Sequence, residues 1–355
     1  MSSVSIGIVG AGNIGQVHAE AIESLGHSIT AVADIDQSSR KTFGDEFGCL
    51  RTYESYRSMI EEETLDLVIV AVPNSLHAEC VIAALEADVD VFVEKPLAHT
   101  LEDAERIAAR EAESAGRVIV GFVRAFEPWV DEIHAAIAAG ELGNVYDIDV
   151  EFVRRRGVPQ LGSWFTRERV SGGGAVIDIG VHVIHLALRL LEFPPIVSVS
   201  ATTGSHFGTK PDYTYLNMWG GGPVGDGEFD VDDYARALIR TADGTTIHFH
   251  LAWALNGESN QSLRIYGDRA GATIDGVGSS QRSMVYSTGE SGLTDTEIHL
   301  PESDRFTAQW EYVIAVVRGD REPTQNTLEE GLAVQRVVDA IYESAQSGRE
   351  VLLTE

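Results

Sequence analysis

The sequence predicts an α/β protein whose first part is a doubly wound parallel sheet and whose second part contains an antiparallel sheet. Three observations support this prediction. The first third alternates short β-rich runs with amphipathic segments, which is typical of βαβ units. Further along, an Asp-Gly pair joins two strand-like runs, as in an antiparallel hairpin. Finally, 355 residues exceed the roughly 250 to 300 at which a single core stops growing, so two domains are expected.

The first domain is predicted from strand-like runs that read VSIGIV, SITAVA, LDLVIVAV, VDVFV and RVIVGF. Helical segments at about 13–25, 75–87 and 100–115 separate these runs, and a weaker short strand is expected near Cys49. Because βαβ units cross over in the right-handed sense, helices are expected on both faces of the sheet. We place this domain at residues 1–122.

The second domain, residues 123–355, begins with a helical segment at about 128–139. The turn at 243–244 joins DDYARALIRT to TTIHFHLAW, and apolar residues alternate with polar ones in the second run. This alternation predicts an antiparallel sheet with one buried face, whose other face is either solvent-exposed or an oligomer interface. Closing helices are expected at about 306–347.

The charge balance is strongly acidic, with 55 Asp and Glu against 26 Lys and Arg, a formal net charge of -29. Such a surface repels nucleic acid and anionic membranes, so neither is an expected partner. Self-repulsion also destabilises the folded state at low ionic strength, whereas molar salt shortens the Debye length to ~3 Å and relieves it. The composition therefore suggests a halophilic source, and the alternative is an acidic enzyme from a mesophile.

The chain contains no run of ~18 uninterrupted apolar residues, and its start lacks a basic region followed by a cleavage signal. A cytoplasmic protein is therefore expected. Its two cysteines, Cys49 and Cys80, lie in apolar surroundings without metal-ligand spacing. We expect both to be buried free thiols.

A glycine motif follows the first strand and opens the first helix. In GIVGAGNIG the three glycines of G-x-G-x-x-G allow a tight turn, close approach of a pyrophosphate and close packing of helix on strand. The motif predicts a dinucleotide cofactor. The residues expected to contact it in this part of the chain are Gly10, Gly12, Asn13, Ile14, Gly15, Asp34 and Ile35.

The second strand ends in Asp34, 19 positions after Gly15, where an acid binds the hydroxyls of the adenosine ribose. A carboxylate here favours NAD and repels the 2′-phosphate of NADP. Arg40 and Lys41 lie close enough in sequence to help hold a phosphate. The sequence therefore favours NAD and leaves NADP open.

A second group of residues follows the β-rich runs LDLVIVAV and VDVFV. Because ligands of open α/β sheets bind beyond the carboxyl ends of the strands, Val72 to His77 and Glu94-Lys95-Pro96 are placed at the site. Lys95 is one of only three lysines in the chain, so a solvent-exposed lysine without a functional role is less expected here. It is our first candidate for a catalytic cation.

The stretch GGGAVIDIGVHVIHLALRLL, residues 172–191, is apolar almost all round, as in a buried helix. Asp178, His182, His185 and Arg189 nevertheless follow one another at spacings of four, three and four, and so form one polar stripe. A solvated face in so acidic a chain would carry more acids, so the stripe indicates a cleft. The triple glycine before it is expected to let the loop pass close to cofactor or substrate.

The stripe also offers one carboxylate and two imidazoles to a metal ion. No H-E-x-x-H motif accompanies them, and a metal site leaves the glycine motif unexplained. We therefore predict no metal. His248 and His250, which alternate along the second run of the hairpin, are interpreted as sheet surface rather than ligands.

At this point the chain resembles the glucose-fructose oxidoreductase, inositol dehydrogenase and MocA-like (Gfo/Idh/MocA) family of NAD(P)-dependent dehydrogenases, essentially from end to end. The resemblance rests on GIVGAGNIG, VPNSLHAE, VFVEKPLA, GFVRAFEP, WFTRERVSGGGAVIDIGVHVIH and VVDAIYESAQSGREV. It implies a Rossmann domain followed by a domain built on a large, open, mostly antiparallel sheet. It also implies a homodimer or homotetramer formed through that sheet.

The resemblance assigns roles to individual residues. Lys95, Asp178 and His182 would surround the reacting carbon. The residues that would line the nicotinamide half of the cofactor are Pro73, Asn74, His77, Glu94 and Lys95. Two positions depart from the family pattern: His185 stands where an acid is frequent, and Ala125 where a second arginine often follows Arg124.

These residues suit oxidation of a secondary alcohol of a sugar, cyclitol or sugar acid, with hydride transfer to nicotinamide. His182 is the expected base, Asp178 would orient it, and Lys95 would bind the substrate oxygen. The expected substrate contacts are Arg124, Trp164 and His185. The resemblance leaves two alternatives open: an NAD-dependent glycosidase, and a catalytically silent NAD-binding regulator.

Overall fold

The computed structural model describes residues 4–216, 222–276, 282–300 and 303–353. By the contacts among its residues, the chain divides into two compact units. The first unit consists of Met1–Phe126 and Asp304–Gln335, and the second of Glu127–Ser303 and Arg336–Glu355. Each unit is described by itself.

In the described part of the first unit, six parallel strands form one sheet in the order β3-β2-β1-β4-β5-β6. Helices alternate with the strands, and the chain winds outwards in both directions from β1 and β4, so the predicted doubly wound sheet is confirmed. The elements are β1 Ile6–Val9, α1 Asn13–Ser24, β2 Ile29–Ala33, α2 Gln37–Phe47, β3 Thr52–Tyr53, α3 Tyr56–Glu62, β4 Leu67–Val70, α4 His77–Glu86, β5 Asp90–Glu94, α5 Leu101–Glu111 and β6 Val118–Gly121.

Local sequence explains where these elements begin and why they are buried. All four residues of β1, of β4 and of β6 are buried, as expected of strands covered on both faces. The carboxylate of Asp36 accepts from the amide of Ser39 and caps α2. The hydroxyl oxygen of Thr100 accepts from the amide of Asp103 and caps α5 in the same way. Both cysteines are free and buried, as predicted.

In the described part of the second unit, nine strands form one sheet in the order β14-β13-β12-β11-β7-β10-β9-β8-β15. Its pairs are antiparallel except for the parallel pair of β7 and β10, which confirms the predicted large, mostly antiparallel sheet. The elements are α6 Pro128–Ala138, β7 Val145–Val153, α7 Glu168–Ser171, α8 Val181–Leu190, β8 Ile196–Gly204, β9 Tyr234–Thr241, β10 Thr246–Ala252, β11 Asn260–Gly267, β12 Ala270–Asp275, β13 Arg282–Gly289, β14 Gly292–Ile298 and β15 Val351–Leu352.

The predicted hairpin is formed by β9 and β10, and its burial follows the sequence alternation. Ile247, Phe249 and Leu251 are buried, whereas His248 is exposed on the opposite face. The face of the sheet that bears His248 also carries Asp147, Asp149, Glu151, Arg236, His250, Arg264 and Tyr266, and we call it the polar face.

Residues 168–190 of the second unit are long and apolar enough to cross a membrane, by length and composition alone. However, 83% of their most apolar window is buried inside the protein, which is the property of a core helix. Side chains of α8 such as Ile184 and Leu186 are fully buried. The segment therefore belongs to the core of this unit.

Two further helices close the chain, α9 Arg305–Val317 and α10 Leu328–Ser347. Trp310, Val313 and Val316 of α9 lie in the same hydrophobic cluster as Ile6 and Phe92 of the parallel sheet. The segment 304–335 thus packs with the first unit, although the sequence boundaries place it in the domain 123–355. Its apolar face completes the core of the parallel sheet, a long-range contact that local patterning does not reveal.

Candidate active site

The glycine-rich turn between β1 and α1 has the conformation that each glycine position requires. Gly10 has φ +106, and a Cβ there would lie 2.2 Å from the carbonyl oxygen of Ala71. A Cβ on Gly15 would lie 2.1 Å from the carbonyl oxygen of Gly10. By contrast, no described atom lies within 4 Å of a Cβ built on Gly12, which precedes α1 directly.

This geometry fits the pyrophosphate of a dinucleotide. Gly12 and Asn13 are exposed, so the amides of the first turn of α1 are accessible to an anion. No acidic residue occurs in that turn to repel it. The chain therefore provides a cradle that a side chain at position 12 would fill.

Asp34 follows β2 and is tied to the glycine-rich turn. Its Oδ2 accepts from the amide of Ala11 at 2.8 Å, and its Oδ1 accepts from the amide of Asp36 at 2.8 Å. Each oxygen keeps a further lone pair, which is what the paired hydroxyls of a ribose need. Ile35, next in the chain, is 87% exposed and offers an apolar surface there. Arg40 donates to the carbonyl oxygen of Asp34.

The loops after β4 and β5 are joined by His77. Its Nδ1 lies 2.8 Å from the carbonyl oxygen of Pro96, and its Nε2 lies 2.9 Å from that of Val72. The ring is fully buried, and burial lowers its pKa, while the two carbonyl contacts act in the opposite direction. The structure encloses the ring of His77 between the two loops, and its predicted place beside the nicotinamide half of the cofactor stays a prediction. Asn74, on the same loop, is also buried, and Pro73 is half-buried.

Glu94 and Lys95 form the end of β5. Oε2 of Glu94 accepts from the backbone amide of Lys95 at 3.1 Å, and Oε1 lies 2.9 Å from Nε2 of His18. The opposite ring nitrogen of His18 accepts from Nε1 of Trp310 at 3.1 Å. Sequence reasoning missed His18, although it lies one turn after Gly15 on the buried side of α1.

In the second unit Asp178 lies in a π-helical turn, Val176–Gly180, immediately before α8. Such turns are frequent at functional sites. Trp253 donates from Nε1 to Oδ2 of Asp178 at 2.9 Å, which fixes the carboxylate. Burial lowers the pKa of the Arg154 guanidinium, and the charge of Asp178 opposes that shift. Trp253 and Arg154 were not among the residues predicted from sequence.

The triple glycine before this turn is held by Asp232. Its Oδ1 accepts from the amide of Gly174 at 2.7 Å and from the hydroxyl of Tyr342 at 2.8 Å, and its Oδ2 accepts from the amide of Val176 at 3.0 Å. A Cβ on Gly173 would lie 2.0 Å from the Tyr342 oxygen. The glycines therefore accommodate these partners, whereas the sequence suggested close approach of a ligand.

The four residues of the polar stripe predicted along 178–189 differ in burial and in the groups that they contact. Asp178 and His182, on consecutive turns, are half-buried. His185 is fully buried, with its ring 5.6 Å from that of Phe193. Nη2 of Arg189 lies 3.7 Å from a carboxylate oxygen of Asp131, at the far end of α8.

The remaining predicted contacts are distributed between the units. Trp164 lies in a turn of the second unit and stacks on Phe165, with ring centroids 3.8 Å apart. Arg124 and Lys95 belong to the first unit, and both are half-buried.

Within the described ranges, no group of three or more His, Cys, Asp and Glu side chains is arranged to hold a metal ion. On the polar face His248 instead pairs with Asp147 at 3.2 Å.

The glycine cradle, the acid after β2 and the strand-end loops define the first unit as a nicotinamide dinucleotide-binding domain. Residues 4–122 match the model of the oxidoreductase family with an NAD-binding Rossmann fold, and residues 130–273 match the GFO/IDH/MocA C-terminal domain. The chain belongs to the Gfo/Idh/MocA family, and it is an NAD(P)-dependent oxidoreductase.

Several relatives span the whole chain. D-glucoside 3-dehydrogenase of Escherichia coli (strain K12) is 28% identical, over 99% of this chain and 98% of the relative. D-xylose 1-dehydrogenase (NADP(+)) 2 of Haloferax volcanii is 25% identical, over 98% and 99%. A levoglucosan dehydrogenase, solved with NADH and levoglucosan, has the same fold with a TM-score of 0.85, 21% identity and 100% of both chains covered.

Proposed function

We propose that this protein oxidises a secondary alcohol of a sugar, cyclitol or sugar acid and passes the hydride to nicotinamide. The observation that carries the proposal is the carboxylate of Asp178, fixed by Trp253 one turn before His182. A carboxylate and an imidazole on consecutive turns suit proton transfer during alcohol oxidation. The sugar dehydrogenases among the full-length relatives support the substrate class.

In the proposed mechanism His182 accepts the hydroxyl proton of the substrate, since a neutral imidazole can act as a general base. Asp178 orients that imidazole and stabilises its charged form. The ammonium group of Lys95 donates to the same substrate oxygen and stabilises the developing alkoxide. Bound nicotinamide supplies the hydride chemistry. Arg124, Trp164 and His185 remain the proposed substrate contacts.

NAD is the proposed cofactor rather than NADP. The carboxylate of Asp34 is held in place by two backbone amides, so it stays where a 2′-phosphate would be repelled. Arg40, which the sequence left as a possible phosphate ligand, donates to the carbonyl oxygen of Asp34. That contact supports the preference for NAD.

We also propose a cytoplasmic homodimer or homotetramer assembled through the polar face of the large sheet. The carboxylates of β7 alternate with basic groups on both neighbouring strands: His250 lies 3.0 Å from Glu151, and Arg264 lies 3.4 Å from Asp149. A face that carries charges of both signs can pair with a second copy of itself about a two-fold axis, as an isologous interface requires. Sedimentation of the purified protein tests this part of the proposal.

The deciding experiment for the activity is a screen of sugars, inositols and aldonates with NAD and with NADP in high salt. Steady formation of reduced nicotinamide with one of these substrates is expected. A glycosidase of this family would regenerate its cofactor and show no net change in absorbance, and a silent regulator would bind NAD without turnover. Either result would overturn the proposal.

A further inference from the structure

A chain of hydrogen bonds runs through the core of the first unit and ends at the backbone of Lys95. Trp310 of α9 lies 3.1 Å from Nδ1 of His18, whose Nε2 lies 2.9 Å from Oε1 of Glu94. The second oxygen of Glu94 accepts from the amide of Lys95 at 3.1 Å. Trp310 and His18 are fully buried, and Glu94 is 9% exposed.

The direction of each bond follows from the chemistry of its groups. An indole Nε1 is only a donor, so Nδ1 of His18 must accept and carries no proton. The proton of the neutral ring is then on Nε2, where it is donated to the carboxylate of Glu94. Trp310 thus selects one tautomer of His18, and that tautomer binds Glu94.

Aromatic packing keeps the imidazole in this orientation. The rings of Phe92 and Trp310 meet it edge to face at centroid distances of 5.1 and 5.4 Å, and Phe306 lies at 6.2 Å. Rotating the ring by half a turn would place carbon atoms opposite Trp310 and Glu94 and lose both hydrogen bonds. The ring therefore has one orientation that satisfies its neighbours.

We propose that Trp310 and His18 are positioning residues for the reaction: they hold the carboxylate of Glu94 so that it fixes the backbone from which the Lys95 side chain extends. The inference rests on the proposed function, in which the Lys95 ammonium binds the substrate oxygen. Because misplacement of a reacting group by about 1 Å can lower a rate about a hundred-fold, a buried restraint at this point affects turnover.

A role in stability alone is the competing explanation, and turnover per folded molecule separates the two. His18→Phe keeps an aromatic ring in the cluster and removes both hydrogen bonds. We expect it to lower kcat about ten-fold or more, with KM changed less than kcat. His18→Gln can still donate to Glu94 and should recover part of the loss. Trp310→Phe, which leaves the bond to Glu94 in place, should have the smallest effect of the three.

The matched control is Phe306→Leu, which alters the packing around His18 and removes no hydrogen bond. It should lower the melting temperature and leave kcat near that of the parent. If His18→Phe is folded and turns over at the parent rate, or if Phe306→Leu lowers kcat as much as His18→Phe, the positioning role is excluded.

The tautomer of His18 gives a readout independent of turnover. In the NAD-bound protein, the 15N side-chain resonances of His18 should report an unprotonated Nδ1 and a protonated Nε2. A protonated Nδ1 would overturn the inference even in an active enzyme. A second outcome is that the tautomer is as stated but no sugar or polyol is oxidised. In that case the proposed function fails without affecting the inference. The restraint on Lys95 is then tested by measuring whether His18→Phe weakens NAD binding. Unchanged binding in that case excludes the positioning role.

Discussion

Trp253 and Asp178 form the hydrogen bond on which the proposed proton transfer depends, with the indole Nε1 2.9 Å from the carboxylate Oδ2. Trp253 lies just after β10 and is fully buried, so the bond ties the π-helical turn to the large sheet. The bond therefore holds one carboxylate oxygen of Asp178 in place, one turn before His182.

Replacing Trp253 by Phe tests this relationship. The variant keeps most of the packing and removes the indole hydrogen bond to the Asp178 carboxylate, and a hydrogen bond to a charged group contributes about 1.5–3 kcal/mol. We expect kcat to fall about ten-fold because the carboxylate no longer holds one orientation. Trp129→Phe is the matched control, since it removes a buried indole bond of 2.7 Å from α6 to Glu127, the residue before that helix. Equal losses of kcat in the two variants would contradict the assigned role.

Lys95→Ala and His182→Ala test the chemical step itself. Each should lower kcat/KM by about two orders of magnitude or more, as expected for lost electrostatic or acid-base catalysis. The comparison variants are Lys210→Ala and His299→Ala, which remove exposed side chains. They should retain parent activity. Near-parent rates in either test variant would remove that residue from the mechanism.

The structural features near the candidate site that follow from the sequence depend on short-range backbone constraints. Gly10 has a positive φ, and Gly15 approaches the backbone of Gly10, so the spacing of the glycines between a strand and a helix predicts the cradle. The alternation in β10 likewise predicted which face of the sheet is buried. Such features require only a few neighbouring residues, and a single sequence displays them.

The parts that were missed depend on distant partners. His18 and Trp310 are 292 positions apart, and Asp178 and Trp253 are 75 apart, so no local pattern links them. From the sequence, the triple glycine is expected to let the loop pass close to cofactor or substrate. The sequence does not show that Tyr342 occupies the space beside Gly173. Long-range hydrogen bonds of this kind are specified only once the fold is formed.

Cofactor preference is tested by Asp34→Ser. Removing the carboxylate abolishes its repulsion of the 2′-phosphate and one set of contacts to the ribose hydroxyls. The ratio of kcat/KM for NAD to that for NADP should therefore fall by about ten-fold or more. Asp45→Ser, which removes an exposed charge from α2 of the same unit, should leave the ratio unchanged. A ratio that stays constant in Asp34→Ser would show that the preference arises elsewhere.

His77 should make the protein less stable in mild acid. Burial holds its pKa below the ordinary 6.5, so below that pH the unfolded chain binds a proton that the native ring does not bind. The stabilisation is thus present above about pH 6.5 and is lost as the pH falls further. His77→Gln cannot titrate, so its melting temperature should fall less than that of the parent between about pH 8 and pH 5. Parallel melting profiles would contradict the assignment.

The acidic surface predicts a dependence on salt. The net charge of -29 is the basis for the expectation of a halophilic source. Raising KCl from ~0.1 M to ~2 M shortens the Debye length from about 10 Å to under 3 Å, so repulsion between surface carboxylates is screened. The melting temperature should rise markedly over this range. Sucrose at the same osmolality as the added KCl is the control for solute exclusion, which stabilises folded proteins without screening charge. Equal melting temperatures at both KCl concentrations would reject the halophilic origin, because screening of the surface carboxylates would then not stabilise the folded protein.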